Sequence, residues 1–483
     1  MSEASIKFPC DAIPESAPAA RLLGIYPQRV EGRFMQRVKT PGGRLTTSQW
    51  RGLASLASDM SPDVPLHATS RQAIEFHGMT PEQIPPLQRG VAELGLSPVG
   101  ACGDTLRSIT ISPESGLSVE SWDLAPLADA MNAYAETLPF LRAMPRKFKV
   151  ALAGSEHESN RPWINDLGLI AQRDGTFRVL VAGSLGAKPG VGLQLFDSLT
   201  QEDILPLFGG LLRLFNAEGD REHRTRARLR HVRQRLGDDE FVRLVHRYFD
   251  EEKDRFEQGK LQADCKFDLI QADSILPLQQ RFRFPQGDIW PADAIAIANA
   301  AESANATLRL GIEHDLYAFG GTPLDILSHP HLKESGPSIV ACPGTTWCSR
   351  AVAETRTTAA RIRQLLESSI DLNSSLATRL DGLNIALTGC PNSCSHAAIA
   401  DIGLVGRKTK IDGATIECFR LLAGGGHGRT PVLARELNPA LAPEDAAEAT
   451  VRLLKDFLVS SESAPDDLSF ADFIADMTEN NGP

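Results

Sequence analysis

The chain has 483 residues, 42% of them hydrophobic and 23% charged, with a formal net charge of -11. That length exceeds one ordinary core and predicts two or three packed units with the balance of a globular enzyme rather than a disordered or fibrous chain. The acidic total excludes general nucleic-acid binding, which draws its affinity from phosphate neutralisation, and the longest apolar stretch, ILPLFGGLLRLF at 204–215, is too short and too interrupted by Pro206, Gly209, Gly210 and Arg213 to span a bilayer.

In chain order, residues 1–20 carry Glu3, Lys7, Asp11 and Glu15 without the apolar core of a secretory signal, so the expected compartment is the cytoplasm. Reducing conditions there make eight cysteines metal ligands or small packing residues rather than a disulfide framework. SITISPESG (108–116) reads as a strand and turn, and LAPLADAMNAYAETLPFLRAM (124–144) as a helix. VALAGS (150–155), NDLGLIA (165–171) and VLVAGSLG (179–186) are short apolar runs bounded by Gly, which marks buried strands. The 204–215 stretch predicts an amphipathic helix. REHRTRARLRHVRQR (221–235) puts seven arginines on a predicted helix, either salt-bridged between two parts of the molecule or a docking face for an acidic electron donor.

The pattern then repeats. SIVACPGTT (338–346), IALTGC (385–390), ADIGLVG (400–406) and RLLAGGGHG (420–428) follow in the same order, with the helical segment ETRTTAARIRQLLESS (354–369) between them. The offset is 230 for the first pair, 235 for the next two and 241 for the last, so the chain is an α/β protein built twice. Cys342 and Cys390 stand where the first copy has Ser112 and Ser155, which assigns the thiolates to the C-terminal half alone. Cys342 and Cys348 have five residues between them, Cys390 and Cys394 three, and each pair follows a predicted strand. Four such thiolates select an iron-sulfur cluster or zinc; structural zinc usually takes closer pairs, so the spacing leans to iron-sulfur. Cys10, Cys102, Cys265 and Cys418 lack partners of this kind and read as packing residues.

These paired motifs, ACPGTTWCSRA and TGCPNSCSHAA, resemble those of the sirohaem-dependent sulfite and nitrite reductases, and the likeness runs from GIYPQ at 24–28 to the final helices. The resemblance implies an α/β (α+β) fold with two ferredoxin-like half-domains (1–112 and 259–335) and two sirohaem- or cluster-binding units (113–258 and 336–483) related by a pseudo-two-fold. It implies a 4Fe-4S cluster on Cys342, Cys348, Cys390 and Cys394, with Cys394 bridging to the sirohaem, and a small oxyanion as substrate. Four segments resemble the family's basic motifs: MQRVKTPGG with Arg37 and Lys39, TSRQAIEFHG with Arg71, Gln72 and His77, GDTLRSI with Arg107, and PRKFKV with Arg146, Lys147 and Lys149. Lys39, Arg107, Lys147 and Lys149 are expected to face the anion, and Arg37, Arg71, Gln72, His77 and Arg146 to hold the tetrapyrrole. Lys39, His67, Glu75 and Ser108 depart from the usual family residues, which weakens the standard grip on sirohaem.

Lys147-Phe148-Lys149 resembles the sulfite-reducing members, and two lysines suit a more highly charged anion, so the expected reaction is six-electron reduction of sulfite to sulfide. Nitrite reduction to ammonia is the first alternative and a cluster-containing oxygenase of cobalamin biosynthesis the second. No Rossmann fingerprint or flavin segment is visible, so a ferredoxin or a separate flavoprotein is expected to supply electrons.

Overall fold

The computed structural model describes residues 6–480 apart from 159, 259–265, 272–274, 326–335, 373, 412–413, 427–430 and 464–467, so Cys265 and the end of the last repeated segment lie outside the described residues. The first ferredoxin-like half contains β1 (Ile25–Pro27), β2 (Phe34–Lys39), β3 (Arg44–Leu45), helix α1 (Thr47–Met60), β4 (Leu66–Ala68) and β5 (Ala73–Met79). A capping box starts α1: the Gln49 N–H donates to Thr46 Oγ1 (3.1 Å), and Gln49 Oε1 accepts the Thr46 N–H (3.0 Å). Its buried face is Trp50, Leu53, Ala54 and Ala57, at helical spacing.

Next comes the first α/β unit, with β6 (Thr110–Ile111), α2 (Ala125–Glu136), β7 (Val150–Ala153), β8 (Leu167–Ala171), β9 (Phe177–Val181), β10 (Leu193–Leu199), α3 (Gln201–Glu218), α4 (Leu229–Leu236) and α5 (Asp238–Glu257). The 124–144 pattern does not continue as one helix: α2 ends at Glu136 ahead of Pro139, and only a 3-10 turn, Leu141–Ala143, follows. Helix α3 is buried on nearly every side from Ile204 to Phe215 rather than amphipathic, because Gly209 and Gly210 let Tyr134 and the Tyr248 backbone approach.

The second half repeats the plan with β11 (Leu278–Arg283), β12 (Asp288–Ile289), α6 (Pro291–Ser303), β13 (Thr307–Leu310) and β14 (Asp315–Phe319), then β15 (Ser338–Ala341), α7 (Thr355–Ser369), β16 (Asn384–Thr388), β17 (Ile402–Ile411), β18 (Ala414–Ala423), β19 (Arg435–Leu441) and α8 (Pro443–Ser463). The two half-domain sheets exchange their short strands. β12 pairs with β4 of the first half and β3 with β13 of the second, giving orders β1-β2-β5-β4-β12 and β11-β14-β13-β3. Helices α1 and α6 pack together in one shared core, where the Trp50 indole donates to Ala294 O (2.7 Å). The two unit sheets, β6 to β10 and β15 to β19, have the same mixed topology: three parallel strands followed by two antiparallel ones. The duplicated fold expected from the sequence is the one observed. Among the described residues no helix is long and apolar enough to cross a membrane.

Candidate cluster and anion site

Parallel pairing of β15 with β16 delivers the cysteines to one place. Cys342 follows β15 and its N–H donates to Leu387 O (3.0 Å); Cys348 follows the short turn Gly344–Trp347; Cys390 and Cys394 lie in the loop after β16. The Gly389 N–H donates to Cys342 Sγ at 3.1 Å, and a Cβ on Gly389 would sit 2.8 Å from Ala353 O, so glycine is required there. Burial, then the neighbouring Cys394, pushes the Cys342 thiol up to about 12, and burial likewise raises Cys348 and Cys390, again with Cys394 adding to the effect. Crowded buried thiols keep their protons unless positive charge is placed among them. Four thiols gathered in this way, all of them cysteine, suit the soft thiolate-bound iron of an iron-sulfur cluster.

Across from Cys394 lies a cationic chamber. Ser70 Oγ donates to Cys394 O (2.6 Å), bringing the turn between β4 and β5 over the loop. Arg71 is held by Asn165 Oδ1 (3.0 Å) and Val150 O (3.1 Å), and Arg107 by Ala101 O (2.9 Å). Lys147 and Lys149 project together from the segment leading into β7, as strand alternation requires. Burial first, then Arg228 and Arg107, lowers Lys147 to about 7; burial, then Arg71 and Lys147, carries Lys149 well down; burial and Arg107 bring Arg71 down to about 9. Cations that depress one another in a buried space are a receptacle for a polyanion. Arg71 Nε, Arg161 Nε and Ser393 Oγ are buried there without partners among the protein groups. A tetrapyrrole bearing carboxylates, with a small oxyanion beside it, fits this donor set.

The other residues singled out in the sequence are placed differently. Lys39 points to a separate pocket lined by Thr105, Asn132 and Glu136. Gln72 uses its amide on the backbone, donating to Ile111 O and Leu310 O (both 2.7 Å) and accepting the Ile111 N–H (3.0 Å), so it ties the two halves together. Arg146 is paired with Asp104 (2.9 Å). Arg37 donates to Glu75 Oε1 (2.7 Å from Nε), and His77 stacks on Trp347 with ring centroids 5.3 Å apart.

Sequence reasoning missed three residues. Arg228 of the basic stretch reaches back to the fully buried Asp166 (2.6 Å) beside the lysines. Most of that stretch is ion-paired, Arg224 to Asp104, Arg233 to Asp238 and Arg235 to Glu218, and it is broken into a 3-10 turn and α4 rather than one helix. Arg161 and His396 are 235 residues apart, both in the left-handed region (φ 50° and 68°), and Arg161 Nη1 lies 3.0 Å from His396 Nδ1. The repeat offset would have found this pair, which sits on the pseudo-two-fold itself.

Comparison with known proteins matches residues 102–253 and 337–463 to the nitrite and sulphite reductase 4Fe-4S domain, and residues 26–94 to the nitrite/sulfite reductase ferredoxin-like half domain. The chain is 28% identical to the assimilatory ferredoxin-dependent nitrite reductase of Haloferax mediterranei, over 90% of this chain and 81% of that one. It is also 28% identical to the ferredoxin–nitrite reductase of Synechococcus elongatus, over 89% and 88%. The solved structure of the Mycobacterium tuberculosis NirA protein superposes with a TM-score of 0.79 at 22% identity, covering 96% of this chain and 90% of that one, and supports the fold. The expectation of a sulfite reductase is thereby corrected: these curated relatives are nitrite reductases. Two lysines in one segment do not by themselves call for a more highly charged anion, because burial, ahead of any neighbour, lowers both Lys147 and Lys149. The chain belongs to the nitrite and sulphite reductase family, and is an oxidoreductase whose cofactors are a 4Fe-4S cluster and a sirohaem.

Proposed function

We propose that the protein reduces nitrite to ammonium with electrons from a ferredoxin. The observation that carries this reading is the match, over about nine-tenths of the chain, to relatives named as ferredoxin-dependent nitrite reductases, and the cationic chamber beside Cys394 supports it. Cys342, Cys348, Cys390 and Cys394 would hold the cluster, and Cys394 is the one beside the chamber that would take the sirohaem. Arg71, Arg107 and Arg161 would grip carboxylates of the tetrapyrrole or the anion. When bound, the two cofactors store single electrons and present a metal centre to the anion.

The protein's own part is to gather charge and protons. Lys147 and Lys149 draw the anion into a space where low dielectric strengthens their pull, and a bound anion restores their protons. Arg228, fixed by Asp166, keeps positive charge at the chamber wall. The test is steady-state turnover of the cofactor-loaded protein with chemically reduced ferredoxin, following loss of nitrite and appearance of ammonium. Six electrons per nitrite, and a kcat/KM for sulfite at least about tenfold lower, are expected. Sulfide production from sulfite at equal or greater efficiency would overturn the reading.

A further inference from the structure

The first-half sheet carries a charged row that the cluster and anion site do not use. Directly paired residues on neighbouring antiparallel strands point to the same face. The register sets Arg37 of β2 opposite Glu75 of β5, Glu75 opposite His67 of β4, and His67 opposite Asp288 of the exchanged strand β12. At about 4.8 Å per strand the row is roughly 14 Å long. Its inner end adjoins the chamber, because Arg37 Nη1 donates to the same Ala101 carbonyl that takes Arg107 (3.4 and 2.9 Å). Its outer end is at the edge of the sheet, where Asp288 accepts from Arg356 of α7 (2.9 Å) and the two side chains are 11% and 19% exposed.

Two further imidazoles flank the row. The His77 ring is 5.7 Å from that of His67, with Nε2 3.2 Å from Glu75 Oε2, and the His314 ring is 5.0 Å from His67. Glu75, His67, His77 and His314 are all buried. His67 Nδ1, His77 Nε2 and His314 Nδ1 have no properly aligned hydrogen-bond partner; His67 Nδ1 is 3.7 Å from Asp288, beyond hydrogen-bond reach. Gly287, at φ 80°, makes room beneath them, since a Cβ there would come within 2.7 Å of the His67 ring and 2.9 Å of His314 Nδ1. Unpartnered buried polar atoms are unfavourable, and three in one place call for a use. The fold does not impose them: the corresponding row of the other sheet is Arg281, Tyr317, Arg309 and Arg44, without an imidazole.

We propose that His67 carries protons along this row, taking them up at Asp288 on the sheet edge and passing them by way of His77 to Glu75, from which water in the anion chamber takes them to the anion while Arg37 stays protonated. The proposal deepens the nitrite reading, which it needs only for the demand. One nitrite, six electrons and eight protons give one ammonium and two waters, and only O–H and N–H bonds form and break along the row, the protons coming from solvent. A neutral imidazole can accept on one ring nitrogen and release from the other. Although burial alone would raise the Glu75 carboxyl, Arg37 and His77 hold it far below the usual range, so Glu75 is a point of passage rather than a store.

Two measurements on the cofactor-loaded protein test this. With a saturating artificial one-electron donor, His67→Gln should lower kcat for nitrite at least about tenfold with KM unchanged, raise the solvent deuterium isotope effect, and recover in part with added imidazole. Without any substrate, Asp288→Asn should slow exchange of the His67 ring proton with water, followed by NMR, at least about tenfold, with the visible spectrum unchanged. A parent chain that fails to reduce nitrite removes the nitrite reading while the exchange measurement still decides the relay. Unchanged kcat and isotope effect in fully loaded His67→Gln, or unchanged exchange in Asp288→Asn, would overturn the proposal.

Discussion

The two α/β units hold the same backbone frame around opposite chemistry. In the second, the Cys342 N–H donates to Leu387 O, the Gly389 N–H to Cys342 Sγ, and the Asn384 N–H to Asp401 Oδ2 (3.0, 3.1 and 2.8 Å). In the first, the Ser112 N–H donates to Leu152 O, the Gly154 N–H to Ser112 Oγ, and the Lys149 N–H to Asp166 Oδ2 (3.1, 3.4 and 2.8 Å). One strand-end geometry thus serves as a thiolate nest on one side and as a lysine mount on the other. The frame positions side chains, and on the proposed function the difference in side chains is what would assign iron to one unit and the anion to the other.

Making the second unit resemble the first should have the largest effect. Cys390→Ser copies Ser155 into the cluster loop, and the expected result is loss of cluster iron, of the coupled sirohaem spectrum and of activity to background, by iron assay and visible and electron paramagnetic resonance spectra. Cys394→Ser should do the same. Cys418→Ser removes only a packed thiol in β18, whose Sγ lies 3.6 Å from Arg407 O, and should leave iron and activity in place. Retention of a normal cluster in Cys390→Ser would break the comparison, because the frame and not the thiolate would then be holding the metal.

The reverse change is smaller. Lys149→Asn gives the first unit the residue that the second has at Asn384, on the same N–H to aspartate bond. It should lower kcat/KM for nitrite by roughly 3 kcal/mol, about 10²-fold, the scale of one electrostatic donor. The melting temperature should hardly fall, since a buried lysine with a depressed proton affinity adds little to the fold. Equal losses of activity and cofactor content would instead make Lys149 a residue of assembly.

Much of this frame is legible in the sequence, because the two copies share Gly-bounded apolar runs in the same order at offsets of 230 to 241. The same offsets also set Ser118 against Cys348 and Ser159, outside the described residues, against Cys394, so all four thiolates have serine counterparts. Less legible is what depends on contacts between elements distant in the chain. Lys39 alternates correctly with Arg37 on β2 yet reaches the pocket beside Glu136, since direction along a strand does not fix where a long side chain ends. Glu75 departs from the usual family residue, and becomes intelligible only when the register places Arg37 and His67 on either side of it. Arg228 is not separable in the sequence from the six other arginines of its stretch, because its partner, Asp166, lies 62 residues earlier.

The smallest effect is expected where the two loops differ most. Glu158 occupies the position of Ser393 at the repeat offset, and its carboxylate accepts the Gly154 N–H (2.6 Å) and the Ser121 hydroxyl, taking the donor that faces sulfur in the other unit. Burial pushes the Glu158 carboxyl up to about 8, well above its unfolded value. The folded protein therefore binds a proton that the unfolded chain has lost between roughly pH 4.5 and pH 8, so stability is complete below that window and declines as pH rises through it. Glu158→Gln, neutral throughout, should melt with the parent at pH 5 and about 1–2 °C above it at pH 8.5, by calorimetry on the cofactor-loaded protein. A constant difference between the two proteins at both pH values would show that Glu158 stays ionised, and its hydrogen bonds to Gly154 and Ser121 would then stabilise the loop as a charged cap rather than a neutral one.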